Sequence, residues 1–200
     1  MNKVQKQFYI ILGKSGSGKG TQASKLKDYL LANGHSSVCH VTTGGALREF
    51  VSNSKSLSSK LMGNIMIEGR SLPNFIAIWN WNNIFINSIN GEETIILDGA
   101  PRKGVEAKIL DEAIDYYGYD NVFVVYIDVT DAWAVQRLVG RGREDDSDID
   151  KVKNKMEWFA TDVLEVIDWY KNYNTKVKWI HVNGEKSIDE VFNSIIEILK

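Results

Sequence analysis

The chain has 200 residues, 44% hydrophobic and 25% charged, with a formal net charge of −2 and a pI near 6.0. This is the composition of one folded domain, and the mixed, slightly acidic charge argues against a nucleic-acid-binding module, which would carry a basic face. The single cysteine, Cys39, excludes an internal disulfide and a cysteine-built zinc site and fits a reducing cytoplasm.

Phe8–Leu12 is apolar and β-branched or aromatic, and predicts a buried strand. The run is too short for a signal-peptide core or a membrane span, so a soluble cytoplasmic protein with no membrane partner is expected. Ala23, Leu26 and Leu30 share one face of a helix that stops near Asn33-Gly34. Ser37–Val41 predicts a second strand. From Gly44 to Asn90 the pattern is helical without a convincing strand, too long for a simple crossover, and reads as a helical insertion. Thr94–Asp98 and Val122–Asp128 predict two more strands. Val152, Met156, Phe159, Val163, Val166 and Tyr170 mark one long helix. Val177–Val182 predicts a fifth strand. In the last helix Ser187 and Glu190 have capping-box spacing ahead of an apolar stripe. Strands alternating with helices imply an α/β fold, a parallel sheet with helices on both faces.

Gly13-Lys14-Ser15-Gly16-Ser17-Gly18-Lys19 follows the first strand and precedes the first helix. Glycines let the backbone curl so that successive N–H groups face phosphate oxygens, and the helix adds its positive end. Lys19 supplies a mobile charge for the outer phosphates. Gly20 intervenes before the hydroxyl of Thr21. Three arginines, Arg137, Arg141 and Arg143, fall in a short glycine-containing segment that reads as a mobile, positively charged flap. His35, His40 and His181 sit beside or within strands and read as structural, as do Trp79, Trp81 and Trp158.

These motifs resemble the adenylate kinase family of nucleoside monophosphate kinases over nearly the whole chain. Gly13 to Gln22 resembles the family's phosphate loop, with its Gly20-Thr21-Gln22 ending. Thr43-Gly44-Gly45-Ala46-Leu47-Arg48 is similar to its Thr-Gly-Asp-x-Leu-Arg segment. Asp98-Gly99-Ala100-Pro101-Arg102 is similar to its Asp-Gly-x-Pro-Arg segment. Arg137 to Asp146 resembles its lid in the short form, and Val182-Asn183-Gly184 the usual C-terminal end.

The resemblance implies a P-loop NTPase-like, five-stranded parallel sheet in a single kinase domain, 1–200. Its core would be 1–43, 91–136 and 149–200, with a monophosphate-binding insertion at 44–90 and a short lid at 137–148. It implies reversible, Mg²⁺-dependent transfer from ATP to AMP, giving two ADP, by a monomer. ATP would lie on Gly13, Ser15, Gly16, Ser17, Gly18, Lys19, Gly20, Thr21 and Arg137. The monophosphate would lie on Thr43, Gly44, Arg48, Gly99, Arg102, Glu106 and Arg143. Lys19, Arg102, Arg137, Arg141 and Arg143 would act on the transferring group. Asp98 would hold the magnesium through water, with Thr21 a further candidate.

The sequence departs from the family pattern at several places. Ser15 replaces a proline, and Gly45 replaces the aspartate of Thr-Gly-Asp. Lys155 or Asn154 stands near a late arginine. Glu106 takes the place of a base-reading glutamine. An ionised glutamate only accepts hydrogen bonds, which suits guanine's two donors better than adenine's mixed edge. GMP, CMP or UMP as acceptor, and a weakly catalytic nucleotide-binding protein, are the alternatives.

Overall fold

The computed structural model describes residues 5–142, 146 and 149–200. Five parallel strands, β1 (Phe8–Leu12), β2 (Val38–Thr42), β3 (Thr94–Asp98), β4 (Val122–Asp128) and β5 (Val177–Asn183), form one sheet in the order β2-β3-β1-β4-β5. Three central strands are apolar along almost their whole length because both faces are covered. On one face Tyr9, Ile11, Ile96, Val125 and Ile127 pack against α1 (Lys19–Ala32) and α9 (Ile188–Leu199). On the other, Phe8, Ile10, Leu97 and Val124 pack with Trp81, Phe85, Leu110 and Tyr170. The expected α/β architecture with helices on both faces is therefore present.

The local signals read from the sequence act as caps. Asn33 ends α1, and Gly34 at φ 96° lets His35 N–H return to the Leu30 carbonyl. Ser187 and Glu190 form the capping box that starts α9.

Between β2 and β3 the chain forms α2 (Thr43–Asn53), α3 (Leu57–Ile67) and α4 (Asn74–Ser88), with no strand among the described residues. Leu47, Met62, Leu72 and Ile76 give these helices a small core of their own. After β3 comes α5 (Gly104–Tyr116), and after β4 comes α6 (Asp131–Val139). The expected long helix is continuous but not uniformly α. It runs as α7 (Ile149–Trp158), a π turn (Phe159–Val163), α8 (Leu164–Asp168) and a second π turn (Trp169–Tyr173). Each π turn takes in an extra residue, which rotates the apolar face and keeps Phe159, Val163, Val166 and Tyr170 on the sheet.

The site lies where the sheet topology dictates. β1 is flanked by β3 on one side and β4 on the other, and the connections diverge at its carboxyl end. Registry sets Asp98 level with Thr42 on β2 and Ile11 on β1, directly beneath the loop that leaves β1.

Candidate active site

The loop after β1 has a shape that only glycine supports at three points. Gly13, Gly16 and Gly18 have φ of 146°, 89° and 90°. A Cβ on Gly13 would sit 2.5 Å from the Ile127 carbonyl oxygen, and one on Gly16 2.5 Å from that of Ala134. The loop is thus packed too closely against the backbone of β4 and α6 for any side chain there. Gly18, by contrast, faces open space and needs glycine only for its dihedral, as the residue that opens α1.

Lys19, the first residue of α1, turns back over the loop and donates to the carbonyls of Gly13 and Lys14, each at 2.7 Å. Burial lowers its pKa to about 8. Asp98 pulls it up, and Arg102 and Arg141 push it down further. The depression reports first the burial of the ammonium and only then the two arginines beside it. Lys14 is held apart by the Val129 carbonyl and Asp131, at 2.7 and 2.8 Å.

A cleft of about 700 Å³ opens above the loop, a size suited to a small-molecule site. Its walls carry Ser15, Gly16, Gly18, Lys19, Gly20 and Thr21 from the loop and α1, and Asp98 and Gly99 from the end of β3. The insertion adds Gly44 and Arg48, the β3–α5 connection adds Arg102, and α6 with the residues after it adds Arg137 and Arg141. Gly13 lines a smaller recess with Lys19, while Ser17 is buried in the loop. Arg143 lies outside the described residues. The other residues expected at the site from sequence are therefore gathered at the carboxyl end of the sheet from segments far apart in the chain.

The arginines are oriented by what they touch. Arg102 donates from Nε to the Gly99 carbonyl at 2.8 Å and lies over the Trp158 ring at 5.1 Å. Its neighbouring peptide Ala100–Pro101 is cis. Arg137 stacks on Trp133 at 4.8 Å. Arg141 donates to Asp146 from Nε at 2.9 Å and from its terminal nitrogen at 2.5 Å, and Lys155 donates to the other oxygen of the same carboxylate at 2.7 Å. Asp146 is fully buried, so its charge is compensated by both cations together.

A side pocket branches off toward the insertion. Thr43, Leu47, Leu72, Asn80, Gly99 and Glu106 line it. The Thr43 hydroxyl donates to the Asp98 carbonyl at 3.2 Å, and Asn80 Nδ2 donates to the Thr43 carbonyl at 2.9 Å. Glu106, in the first turn of α5, is almost wholly buried. One carboxylate oxygen accepts from Trp81 Nε1 at 3.0 Å and the other from the Arg102 main-chain N–H at 2.6 Å. Burial raises its pKa; the Arg102 main-chain hydrogen bond, the Arg102 charge and the Trp81 hydrogen bond pull the other way.

Several cleft residues were not singled out from the sequence. Trp158 and His40, both read as structural, line the cleft. Trp158 also donates to the Gly69 carbonyl at 3.2 Å, and Asn154 to that of Glu68 at 2.8 Å, so α7 braces the insertion. Of the two residues that stand near the family's late arginine, Lys155 is the one in the cleft. At Gly45 a Cβ would meet the Thr42 hydroxyl at 2.5 Å, so Thr42 occupies the space that a larger residue would need.

Among the described residues no helix is long and apolar enough to cross a membrane. Comparison with known proteins agrees with the geometry. The model of the adenylate kinase family matches residues 11–175. Adenylate kinase 1 of Nostoc sp. is 30% identical over 186 residues, covering 93% of this chain and 95% of the relative. The adenylate kinase of Xanthomonas euvesicatoria is 31% identical over 194 residues, with 95% and 97% covered. That of Bacteroides thetaiotaomicron is 28% identical over 191 residues, with 94% and 95% covered. With the phosphate loop, the arginine-lined cleft and the sheet order already in place, these matches show that the chain belongs to the adenylate kinase family of nucleoside monophosphate kinases.

Proposed function

We propose that the cleft transfers the terminal phosphoryl group of Mg·ATP to AMP, giving two ADP, and runs the reverse reaction on the same surface. The observation that carries this reading is the placement of Lys19, Arg48, Arg102, Arg137 and Arg141 around one cleft of about 700 Å³. Five cationic side chains around one cleft suit two polyanions brought end to end.

The chemistry needs no base. A monophosphate is already an anion at neutral pH, so its oxygen attacks without losing a proton. The new bond joins that oxygen to the terminal phosphorus, the bond to the bridging oxygen of ATP breaks, and ADP leaves. The work is alignment and charge neutralisation. The N–H groups of Gly16 to Thr21 and the ammonium of Lys19 hold the ATP phosphates. Lys19 leaves the Gly13 and Lys14 carbonyls, which hold it at 2.7 Å in the free protein, for phosphate oxygens. Arg48 and Arg102 grip the acceptor phosphate with Gly44 and Gly99 beside it, and Thr43 and Glu106 face its base. Arg137, Arg141 and Arg143 surround the group in flight. Residues 137–148 act as the short lid that keeps water from competing, and 44–90 as the acceptor-binding insertion.

The residues present fit a magnesium ion. Asp98 faces the cleft, and a Cβ on Gly20 would lie 3.3 Å from its Oδ2, with the Thr21 hydroxyl on the same wall. One carboxylate and a hydroxyl make a small all-oxygen donor set, which suits an ion that keeps most of its waters and takes the rest from phosphates. When bound, it neutralises phosphate charge. Asp98 would hold it through water, with the Thr21 hydroxyl a further candidate. The enzyme works as a cytoplasmic monomer.

The test is ADP production from Mg·ATP with and without AMP. AMP-dependent ADP that disappears in Lys19→Ala supports the reading. ATP binding without turnover would overturn it in favour of a binding protein.

A further inference from the structure

The surroundings of Glu106 are built for a carboxylate and not for an amide. Its oxygens accept from two different groups, Trp81 Nε1 at 3.0 Å and the Arg102 main-chain N–H at 2.6 Å. Both partners are donors only. A glutamine has one oxygen and one NH₂. Whichever way its amide is turned, the NH₂ faces a donor. Trp81 is 0% and Glu106 2% exposed, so neither escapes the conflict by moving into water. Trp81 therefore dictates an acid at position 106, across a gap of 25 residues in the chain.

This fixes what the pocket offers a base. The Lys103 main-chain N–H also bears on this carboxylate, and the lone pairs left over make Glu106 an acceptor and not a donor toward the side pocket. Adenine puts an amino group beside the N1 acceptor, and N1 would then meet a lone pair. Guanine puts N1–H beside a 2-amino group, two adjacent donors and no acceptor on that edge, which suits an acceptor-only carboxylate. Hypoxanthine keeps the N1–H alone. The carbonyl O6 of both bases needs a donor. Asn80 Nδ2 lines the same pocket, gives one hydrogen to the Thr43 carbonyl at 2.9 Å and keeps a second.

Resting on the reading of this pocket as the acceptor-base site, we propose that the enzyme also phosphorylates 6-oxopurine nucleoside monophosphates, GMP ahead of IMP, with Glu106 as the residue that admits them and Trp81 as the residue that positions Glu106.

The experiment is acceptor profiling of the purified protein with Mg·ATP and AMP, GMP, IMP, CMP or UMP, with diphosphates separated by chromatography. GMP is expected within about tenfold of AMP in kcat/KM, IMP somewhat below it, and the pyrimidines about 100-fold lower, the size of discrimination expected when a site's polar groups go unmatched. Because Glu106→Gln alone sets donor against donor and risks the fold, it is paired with Trp81→Phe. The double variant, checked for folding by circular dichroism, is expected to lower the ratio of GMP to AMP kcat/KM by about 100-fold. GMP and IMP no better than CMP, while AMP is used well, would overturn the inference and leave the adenylate kinase reading standing. That result would mean a protonated Glu106 acting as glutamine does. A double variant with the wild-type ratio of GMP to AMP kcat/KM would overturn it too. No transfer to any acceptor would bring down both readings.

Discussion

The two ends of the cleft are made differently. The end proposed for ATP is one contiguous loop, and the groups it offers are main-chain N–H groups set by glycine dihedrals at Gly13, Gly16 and Gly18. The end proposed for the acceptor is assembled from side chains on α2, α4, the β3–α5 connection, α5 and α7, each holding another: Asn80 on Thr43, Trp81 on Glu106, Glu106 on Arg102, and Arg102 over Trp158. A local backbone device tolerates little change at any point but needs few partners. A side-chain network tolerates change at single points and is retuned by paired substitutions.

The largest effect expected from breaking this comparison is at Lys19, the side chain that the loop itself contributes to the end proposed for ATP. Lys19→Ala removes the charge next to the transferring group and should lower kcat by about 10³-fold, as loss of a main electrostatic stabiliser does. Arg102→Lys tests the acceptor end. A point charge replaces the planar fork, and the expected loss in kcat/KM is about 10²-fold, with AMP KM raised more than ATP KM. Steady-state kinetics with each substrate varied in turn checks both.

Within the loop, Gly16→Ala and Gly18→Ala separate packing from dihedral strain. Gly16→Ala meets the Ala134 carbonyl at 2.5 Å and should destabilise the fold by about 3 kcal/mol. Gly18→Ala meets nothing within 4 Å and should lose only about 1 kcal/mol. Denaturant unfolding measures the difference. Equal losses would mean that the loop is held by its dihedrals alone.

The lysine's environment gives a pH prediction. Its pKa is lowered by burial to about 8 from 10.5, so in the free protein the charge is lost as pH rises through about 8. ATP phosphates draw the proton back. Metal-free ATP binding should therefore take up a proton between about pH 8 and 10.5 and weaken as pH rises across that window. Calorimetry in buffers of different ionisation enthalpy reads the proton directly. The stability sign is the reverse of a salt-bridged lysine. Below about pH 8 the folded state carries a buried charge that the unfolded chain carries in water, and that penalty is released as pH rises toward 10.5.

The smallest effect is expected at Trp158→Phe. It deletes the hydrogen bond to the Gly69 carbonyl and weakens the surface under Arg102, while leaving the packing largely intact. AMP KM should rise about fivefold, with ATP KM unchanged. An equal rise in both would mean that α7 serves the whole cleft and not its acceptor end.

The same contrast explains what was legible in the sequence. The loop could be read because strand, glycines, lysine and helix are adjacent, and each needs only its neighbours. The sheet could be read because fully buried strands are continuous apolar runs. Glu106 stood out as a departure, yet its reason did not, since the donor that requires an acid is Trp81 on another helix. The two π turns were invisible because the spacing Val152, Met156, Phe159, Val163 also fits an ordinary α-helix. Trp158 and His40 were read as packing residues, and nothing local marks a tryptophan as the surface beneath an arginine. Lys155 was noticed only as a missing arginine. Its pairing with Asp146, which in turn holds Arg141, is a tertiary contact that no local pattern marks.

The proposed function requires one cleft to hold ATP and AMP in line and to pass the phosphoryl group directly between them. The most direct measurement supplies ATP labelled at its terminal phosphorus, with Mg²⁺ and unlabelled AMP, and follows the label. The account predicts label in ADP, dependent on AMP and absent in Lys19→Ala. Label released as inorganic phosphate, or retained in ATP while AMP is bound, would contradict it.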